Sequence, residues 1–485
     1  MAQRYRQEDR VGKIARMADK AISVMGEVYD RIAEIPFGGR DDYGIVIPVG
    51  RMRYLLGEID KEIGRLIPGE GNASIHAPRG PDQQGRLSLS SAYMTKMRLL
   101  EEFGMFYIIR SSSPGEHDNP HSLIANSKKC FAEALECTAQ TLGLFPGSQP
   151  VLISKARLLL KLSAVEADGL LHGMPSTTAE TYALCSADAE KAIRDAVSFG
   201  ADIKTLIEAA ELMSALAYRV GFADEVLIPG ATDTELYARR TAQHWFIMEQ
   251  YDEAIIRSPR EDIAVLYARK AHATEEYIDY LLSSPAHEAE GTEHKRMVAL
   301  QHARQNITFY NMIMDMVYTK GLTKSGEVSY KIMRQQPAKT YMPLWESGRM
   351  HELSGRIQAE LGMGDEAVQS YRTALKLYTT YDALLLRSAE SQSGFSVDQR
   401  LHLSLVMERI GDMGFMLGYY PAAVSAYALA IDRMDGIVRL EEEVADHIYD
   451  LFGKMGSAYE KSGLTEEARL IEYAREQMRA QYPFL

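Results

Sequence analysis

The stretch LSGRIQAELGMGDEAVQSYRTALKLY, residues 353–378, decides the fold of this chain. Apolar and small residues recur three and four positions apart on both sides of Gly362, which is the pattern of two amphipathic helices joined by a tight turn. Gly355 lies early in the first helix, and Ala367 and Tyr371 lie in the second. Small residues allow paired helices to approach closely, and an aromatic ring fills the gap between neighbouring hairpins. The stretch therefore predicts a helical hairpin of a repeat array.

The same pattern recurs twice towards the C-terminus, in residues 410–431 and 455–474. Each copy has a glycine early in its first helix, a glycine at the turn and an alanine in its second helix: Gly411, Gly418 and Ala423 in one copy, and Gly456, Gly463 and Ala468 in the other. The turns are further apart than in standard helical repeats, so we expect elongated helices or insertions.

These three copies resemble the tetratricopeptide repeat (TPR), whose second helix carries the pattern A-x3-F. Ala367-x3-Tyr371 and Ala423-x3-Tyr427 match this pattern. The third copy has Glu472 at the aromatic position, as a solvent-facing terminal repeat does.

The resemblance is clearest over residues 339–481 and degenerate upstream, where residues 241–255 are similar to a repeat elbow that contains Trp245. It implies an all-α fold, an α-α superhelix (TPR-like solenoid), that binds protein partners through its helical surface. Helix-start signals such as Thr177-x-x-Glu180 recur along the chain, and no stretch alternates in the manner of a strand. These observations also favour the all-α class.

We predict four segments along the chain. They are an N-terminal helical segment, 1–65; a long loop rich in glycine, proline and polar residues, 66–90; a helical-hairpin region with degenerate repeats, 91–338; and the TPR-like repeats, 339–485. Residues 5–35 carry an apolar face that is broader than the seam of a coiled coil. This breadth favours a bundle helix packed on its own chain over an oligomerisation helix.

The charge balance and the cysteines limit which partners and which cellular compartment are expected for this chain. The chain has 54 Lys+Arg and 67 Asp+Glu, a net charge of −13, so nucleic-acid binding is not expected. Cys130, Cys137 and Cys185 form no C-x-x-C motif, and we expect free thiols in a reducing compartment. No apolar run reaches the length of a membrane span, and the N-terminus lacks the apolar region of a secretory signal. We predict a soluble, cytoplasmic protein.

Searches for catalytic motifs argue against the common enzyme classes. The sequence contains no H-E-x-x-H, no G-x-x-x-x-G-K-[ST] and no G-x-S-x-G motif. Histidines and acids cluster in HEAEGTEH, residues 287–294, but such a polar segment is typical of a solvated helix start rather than of a metal site. We therefore predict no enzymatic activity, no catalytic or metal-binding residues and no cofactor.

Three residues on the first helices of the repeats are candidates for partner binding: Arg356, Glu408 and Asp412. The resemblance implies that these positions face the groove of a TPR domain, although the Lys/Asn clamp that some of those domains use is absent. Glu408 and Asp412 lie one helical turn apart, which favours a basic partner segment. An ordinary exposed helix face is the alternative.

The first twenty residues form a basic patch on an acidic protein, with Arg6, Arg10 and Lys13 among its bases. Three docking targets fit this local charge: an acidic partner, RNA or the chain's own acidic body. The last is the simplest, because it needs no other molecule.

Three functions fit the sequence. A non-enzymatic adaptor or scaffold that binds protein partners through a TPR-like surface fits best. A self-associating solenoid that forms a homo-oligomeric assembly is the alternative. A peptide-sensing regulator is a lesser alternative, because residues 1–65 lack the short helix pair of a DNA-binding helix-turn-helix.

Overall fold

The computed structural model describes the chain in stretches that are separated by gaps. The described residues are 11–20, 43–66, 83–112, 119–171, 177–198, 200–220, 233–259, 263–283, 289–316, 337–389, 397–434 and 442–482. All regular secondary structure in these stretches is helical, which confirms the predicted all-α class. None of the described helices combines the length and the hydropathy that crossing a bilayer requires.

The chain forms two compact units, Met1–Arg257 and Ser258–Leu485. These units do not coincide with the four segments predicted from the sequence. The predicted boundary between residues 338 and 339 falls inside the second unit. The physical reason is that the helix Ala289–Asp315 packs directly against the helix Pro337–Glu360.

The N-terminal unit is a succession of helices that pack on their neighbours along the chain. Its described helices are α1 (11–20), α2 (Tyr43–Leu66), α3 (Gln83–Ser112), α4 (Pro120–Leu144), α5 (Gln149–Leu171), α6 (Ala179–Ser198), α7 (Ile203–Ser214) and α8 (Asp233–Arg257). A π-helical segment, Ala215–Val220, continues α7. The most extensive packing joins α3 to α4, α5 to α6 and α7 to α8, so helical hairpins are the building blocks.

Helix α1 is a bundle helix, as the sequence predicts. Ile14 and Ala18 are buried in a core that also contains Ile59 of α2 and Phe103 of α3. The apolar face of α1 is therefore used within the chain. The remainder of the predicted helix 5–35 lies outside the described residues.

The prediction of a loop over 66–90 is wrong for its last residues. Helix α3 begins at Gln83, so residues 83–90 are helical, whereas residues 67–82 lie outside the described part of the chain. Ser88 and Leu89 are buried, so the amphipathic pattern of α3 starts inside the polar stretch. Helix α2, which precedes this stretch, contains Pro48 in its second turn. Proline in the interior of a helix usually kinks or ends it.

The C-terminal unit is a stack of helical hairpins, which is the architecture of a helical repeat. Its described helices are α9 (Ile263–Ser283), α10 (Ala289–Asp315), α11 (Pro337–Glu360), α12 (Gly364–Ala389), α13 (Val397–Met416), α14 (Tyr420–Met434), α15 (Glu442–Lys461) and α16 (Thr465–Gln481). Each of these helices packs against the next one along the chain.

The three predicted hairpins are confirmed as α11–α12, α13–α14 and α15–α16, and their turns are alike. The turn glycines are Gly362, Gly418 and Gly463, with φ of 76°, 76° and 77°. The residue after each glycine donates its N–H back to the helix: Met363 N to Gln358 O at 2.8 Å, Tyr419 N to Gly414 O at 2.8 Å and Leu464 N to Tyr459 O at 3.0 Å. This is the Schellman motif, and its positive φ explains why glycine stands there.

The small residues of the first helices face side chains of the second helices. A Cβ atom added to Gly355 would lie 2.6 Å from the ring of Tyr371, and Gly411 faces Tyr427 in the same way. In the third hairpin Ile471 lies opposite Gly456. Glu472 is exposed, as predicted for a terminal repeat.

Two upstream details of the prediction are wrong. Residues 241–255 form no elbow, because they lie within the continuous helix α8. The helix-start signal at Thr177 is displaced by one residue: Thr178 Oγ1 accepts from the N–H of Thr181 at 3.1 Å, whereas Thr177 is buried.

Candidate functional site

The predicted acidic residues Glu408 and Asp412 lie on α13 and face α15. Lys454 Nζ of α15 donates to Glu408 Oε1 at 2.6 Å and to both Asp412 carboxylate oxygens at 2.9 Å. Burial alone lowers the pKa of Lys454, but Asp412 and Glu408 outweigh this effect and raise that pKa. Glu408 is only 9% exposed. The acidic pair is therefore a largely buried ion-pair site rather than an open acidic face.

The same contact occurs one hairpin earlier. Arg409 Nη1 of α13 donates to Glu352 Oε1 of α11 at 3.2 Å. Glu352 and Glu408 stand three positions before the small glycine of their helix, and Arg409 and Lys454 stand two positions before it. In both cases the base of one hairpin reaches the acid of the preceding hairpin. We call the contacts Glu352–Arg409 and Glu408–Lys454 the charge ladder.

Buried tyrosines of the second helices hold the carboxylates of the first helices. Tyr378 OH donates to Glu352 Oε2 at 2.8 Å, and Tyr427 OH donates to Asp412 Oδ1 at 2.9 Å. Burial raises the pKa of both hydroxyls, and the adjoining carboxylates raise it further. Both tyrosines therefore remain protonated donors. Glu352 and Asp412 are each held by a tyrosine of their own hairpin and by a cation of the next one.

A second carboxylate cluster precedes the charge ladder. Tyr310 OH donates to Glu275 Oε1 at 2.7 Å, and Arg349 Nη1 lies 3.8 Å from Glu275 Oε2 and 2.7 Å from Glu346 Oε2. Burial raises the pKa of Glu275 to about 7, although the hydrogen bond from Tyr310 lowers it. The carboxyl group of Glu275 therefore changes between its protonated and ionised forms near neutral pH.

A cavity of about 330 Å³ opens where α9 ends, α10 begins and α11 ends. Among the described residues its lining is apolar at Leu281, Leu282, Leu353 and Ile357 and polar at Thr292, Lys295, Arg296, Arg356 and Glu360. Glu360 Oε2 is already paired with Arg296 Nε at 2.8 Å. Arg356 is exposed and forms no hydrogen bond or ion pair with any residue that the structure describes. We call this feature the α9–α11 cavity.

The structure separates the three predicted partner-binding residues. Glu408 and Asp412 belong with Lys454 between α13 and α15, whereas Arg356 lines the α9–α11 cavity. Lys454 is the residue that sequence reasoning misses. The signal that identifies it is its repeat position, which it shares with Arg409.

Of the predicted basic patch, Lys13 lies within the described residues, and Arg6 and Arg10 lie outside them. Lys13 Nζ is 2.5 Å from Oε1 of the buried Glu62 on α2, and Arg65 Nη1 is 2.7 Å from the same oxygen. The contact of Lys13 fits docking of the basic patch on the chain's own acidic residues.

No protein-family model matches the chain, and no curated protein matches it. Among solved structures, the chain is similar to the S. pombe nuclear import adaptor Nro1, with 11% identity, 81% of this chain and 97% of that chain covered and a TM-score of 0.42. It is also similar to a circular tandem repeat protein (11% identity, 99% of both chains, TM-score 0.34) and to yeast Tom70 (11% identity, 98% and 83% covered, TM-score 0.18). Identities and TM-scores this low do not assign a function to the chain.

Proposed function

We propose that the chain is a non-enzymatic adaptor or scaffold of TPR-like architecture, and that a protein partner binds it at the α9–α11 cavity. The observation that carries this proposal is Arg356, an exposed cation beside four aliphatic side chains and without an ion-pair partner in the described residues. Arginine next to an apolar pocket is a frequent anchor of protein–protein interfaces. Its charge favours an acidic side chain on the partner.

The charge ladder supports the TPR-like part of the proposal. Its two contacts use equivalent positions of successive hairpins and hold α11, α13 and α15 in one register. In a repeat array each hairpin is supported by its neighbours, and the stacked hairpins present an extended surface. A surface that is ordered before binding loses little conformational entropy on binding, which suits an adaptor.

Site-specific photo-cross-linking tests the proposed function. A photoreactive amino acid replaces Leu282 at the rim of the cavity in the full chain, and the adducts formed in an extract of the native cell are identified by mass spectrometry. We expect an adduct with another protein that Arg356→Glu removes. Arg387→Glu, an exposed base on α12, is the matched control and should leave the adduct unchanged. Adducts that persist in Arg356→Glu would contradict the proposal.

A basic partner segment at Glu408 and Asp412 is a separate proposal with its own test. Such a segment competes with Lys454 for the two carboxylates. Lys454→Ala should therefore strengthen capture of a basic peptide, and Glu408→Lys combined with Asp412→Lys should abolish it. Equal capture by both variants and the wild type would exclude a basic partner at α13.

Self-association is the second candidate function, and the last helix favours it. Leu470 and Tyr473 lie three positions apart on α16 and are 68% and 61% exposed. Exposed apolar side chains on a terminal repeat are suited to stack on another chain. Sedimentation velocity of the pure protein tests self-association. A homogeneous oligomer that Leu470→Glu dissociates would support a structural assembly. A monomer at micromolar concentration would exclude such an assembly.

A further inference from the structure

The exposed side of α12 carries three bases and no acid over five turns of the helix. Its members, which are all exposed and follow one another at intervals of three or four positions, are Gln369, Arg372, Lys376, Thr380, Ala383 and Arg387. Residues at this spacing lie on one side of a helix. Tyr371, Tyr378 and Leu385 are buried on the other side, where α12 packs against α11 and α13. We call the exposed line the α12 basic face.

The three bases of the α12 basic face are not compensated by the chain. Arg372, Lys376 and Arg387 form no hydrogen bond or ion pair through their charged groups with any residue that the structure describes. Arg372 and Lys376 stand four positions apart, and like charges at this spacing on a helix repel each other. Other arginines of the same unit pair with an acid three positions before them, as in Arg349–Glu346, Arg469–Glu466 and Arg475–Glu472. The α12 basic face thus presents open positive charge on a protein whose net charge is −13.

A shallow groove of about 440 Å³ lies on this face between Lys376 and Arg387. The described residues that line it between the two bases are Thr379, Thr380, Ala383 and Leu384. The threonine hydroxyls donate to carbonyls of their own helix, Thr379 Oγ1 to Leu375 O and Thr380 Oγ1 to Lys376 O, each at 2.8 Å. Because these protons are used, the middle of the groove offers methyl groups. Positive charge stands at its two ends, about 16 Å apart along the helix axis.

We infer that the α12 basic face docks an acidic amphipathic helix of a protein partner. Two acids one turn apart on that helix pair with Arg372 and Lys376, and an acid three turns further along pairs with Arg387. Its apolar side chains cover Ala383 and Leu384. A nucleic acid fits less well, because it carries a charge on every nucleotide and the acidic chain repels it. The groove also has no aromatic side chain among its described lining residues on which a base could stack.

This inference goes beyond the α9–α11 cavity, because the cavity and the α12 basic face have no lining residue in common among the described residues. Single variants tell the two proposals apart. Arg387→Glu should weaken binding to the α12 basic face and leave the cavity adduct unchanged. Arg356→Glu should remove the cavity adduct and leave binding to the α12 basic face unchanged. The failure of one proposal therefore leaves the other intact.

A synthetic amphipathic helix of glutamate, leucine and alanine, with a fluorescent label, tests the inference on the full chain by fluorescence anisotropy. We expect saturable binding that Arg372→Gln combined with Lys376→Gln weakens about fivefold or more. The double variant also removes the repulsion between the two bases, so its thermal stability should not fall. Lys191→Gln combined with Arg304→Gln is the matched control. It removes the same charge at two exposed bases on α6 and α10 and should change the affinity less than about twofold.

An uncharged substitution tests the groove separately from its charge. Ala383→Gln extends a side chain into the groove and should weaken binding about threefold or more, because it occupies space that the partner's side chains need. Ala132→Gln, at an exposed alanine of α4, should leave the affinity unchanged.

Several outcomes would overturn the inference. They are the absence of saturable binding, equal weakening by the two double variants, wild-type affinity in Ala383→Gln, and loss of binding in Arg356→Glu, which would place the peptide in the cavity. Tighter binding of a labelled polyuridine RNA than of the peptide would identify a nucleic-acid surface instead. A sedimentation coefficient that falls in Arg372→Gln combined with Lys376→Gln would show that the face contacts a second copy of this chain, which also overturns it.

Discussion

Lys454 Nζ of α15 lies 2.6 Å from Glu408 Oε1 of α13, at the repeat positions that Arg409 and Glu352 occupy one hairpin earlier. The contact therefore belongs to the repeat and not to one pair of helices. The acid of each pair is more buried than the base. A buried acid needs its partner, because an uncompensated charge in the interior is costly. We infer that the charge ladder fixes the register between successive first helices.

Replacement of Lys454 by methionine should lower the free energy of unfolding of the C-terminal unit by about 1–2 kcal/mol. The change removes three hydrogen bonds to carboxylates and leaves Glu408 and Asp412 to repel each other. The lysine side chain is about one third exposed, so solvent screening keeps the loss below that of a fully buried pair. Urea unfolding followed by circular dichroism measures the change.

Arg469→Met is the matched control for Lys454→Met. Both side chains of the ion pair Arg469–Glu466 on α16 are exposed to solvent. Loss of this pair should therefore change the free energy of unfolding by less than about 0.5 kcal/mol. An equal loss in both variants would contradict the role of the charge ladder.

The stability of the C-terminal unit should fall as the pH rises, because of Glu275. Its pKa is about 7 in the folded unit against 4.5 for an ordinary glutamate, so in this window the folded state binds a proton that the unfolded chain has released. The free energy of unfolding therefore decreases from about pH 4.5 to about pH 7. Glu275→Gln keeps an acceptor for Tyr310 and does not titrate. We expect it to flatten this slope and to be more stable than the wild type at pH 8 by about 1–3 kcal/mol.

Thermal unfolding at half-unit pH steps checks the role of Glu275. Glu360→Gln, which changes an exposed acid of α11, should keep the wild-type slope. A wild-type slope in Glu275→Gln would show that other groups cause the pH dependence.

The repeat hairpins could be predicted from the sequence because their determinants are local. Gly355, Gly362 and Tyr371 lie within one hairpin, and each acts on a neighbour that the helical period identifies. The start of α3 could not be predicted in the same way, because polar residues of the preceding stretch continue into its first turns. The elbow predicted at Trp245 fails because α8 continues through that position as one helix.

The chemistry of the candidate site could be predicted only in part. The spacing of Glu408 and Asp412 places them on adjacent turns, as the structure confirms, but their partner Lys454 lies on another hairpin. A single sequence carries no signal for such a distant contact unless the repeat register is used. The α9–α11 cavity also joins three helices, so the repeat pattern alone does not reveal it, although Arg356, one of its lining residues, was predicted to bind a partner.

The three cysteines should differ in their rates of reaction with a thiol reagent at pH 7.5. All three are free thiols, as the sequence predicts, and Cys137 and Cys185 are buried. Burial raises the pKa of both thiols to about 11, so the reactive thiolate is scarce. We expect Cys130, which is half-buried, to react first and the other two to react on unfolding. Fast labelling of folded Cys130→Ser would contradict this order.

The same substitution, glycine to alanine, should have opposite effects at two positions. A Cβ atom at Gly411 would overlap the ring of Tyr427, whose hydroxyl is fixed by Asp412, so the ring has little freedom to move. Overpacking of this kind should outweigh the higher helix propensity of alanine and destabilise Gly411→Ala by about 1–3 kcal/mol. Gly57 of α2 has nothing within 4 Å of an added Cβ, so Gly57→Ala should stabilise by up to about 1 kcal/mol. Thermal unfolding of both variants measures the two signs. If Gly411→Ala is stabilising, the ring relaxes, and close helix packing is not the reason for glycine at that repeat position.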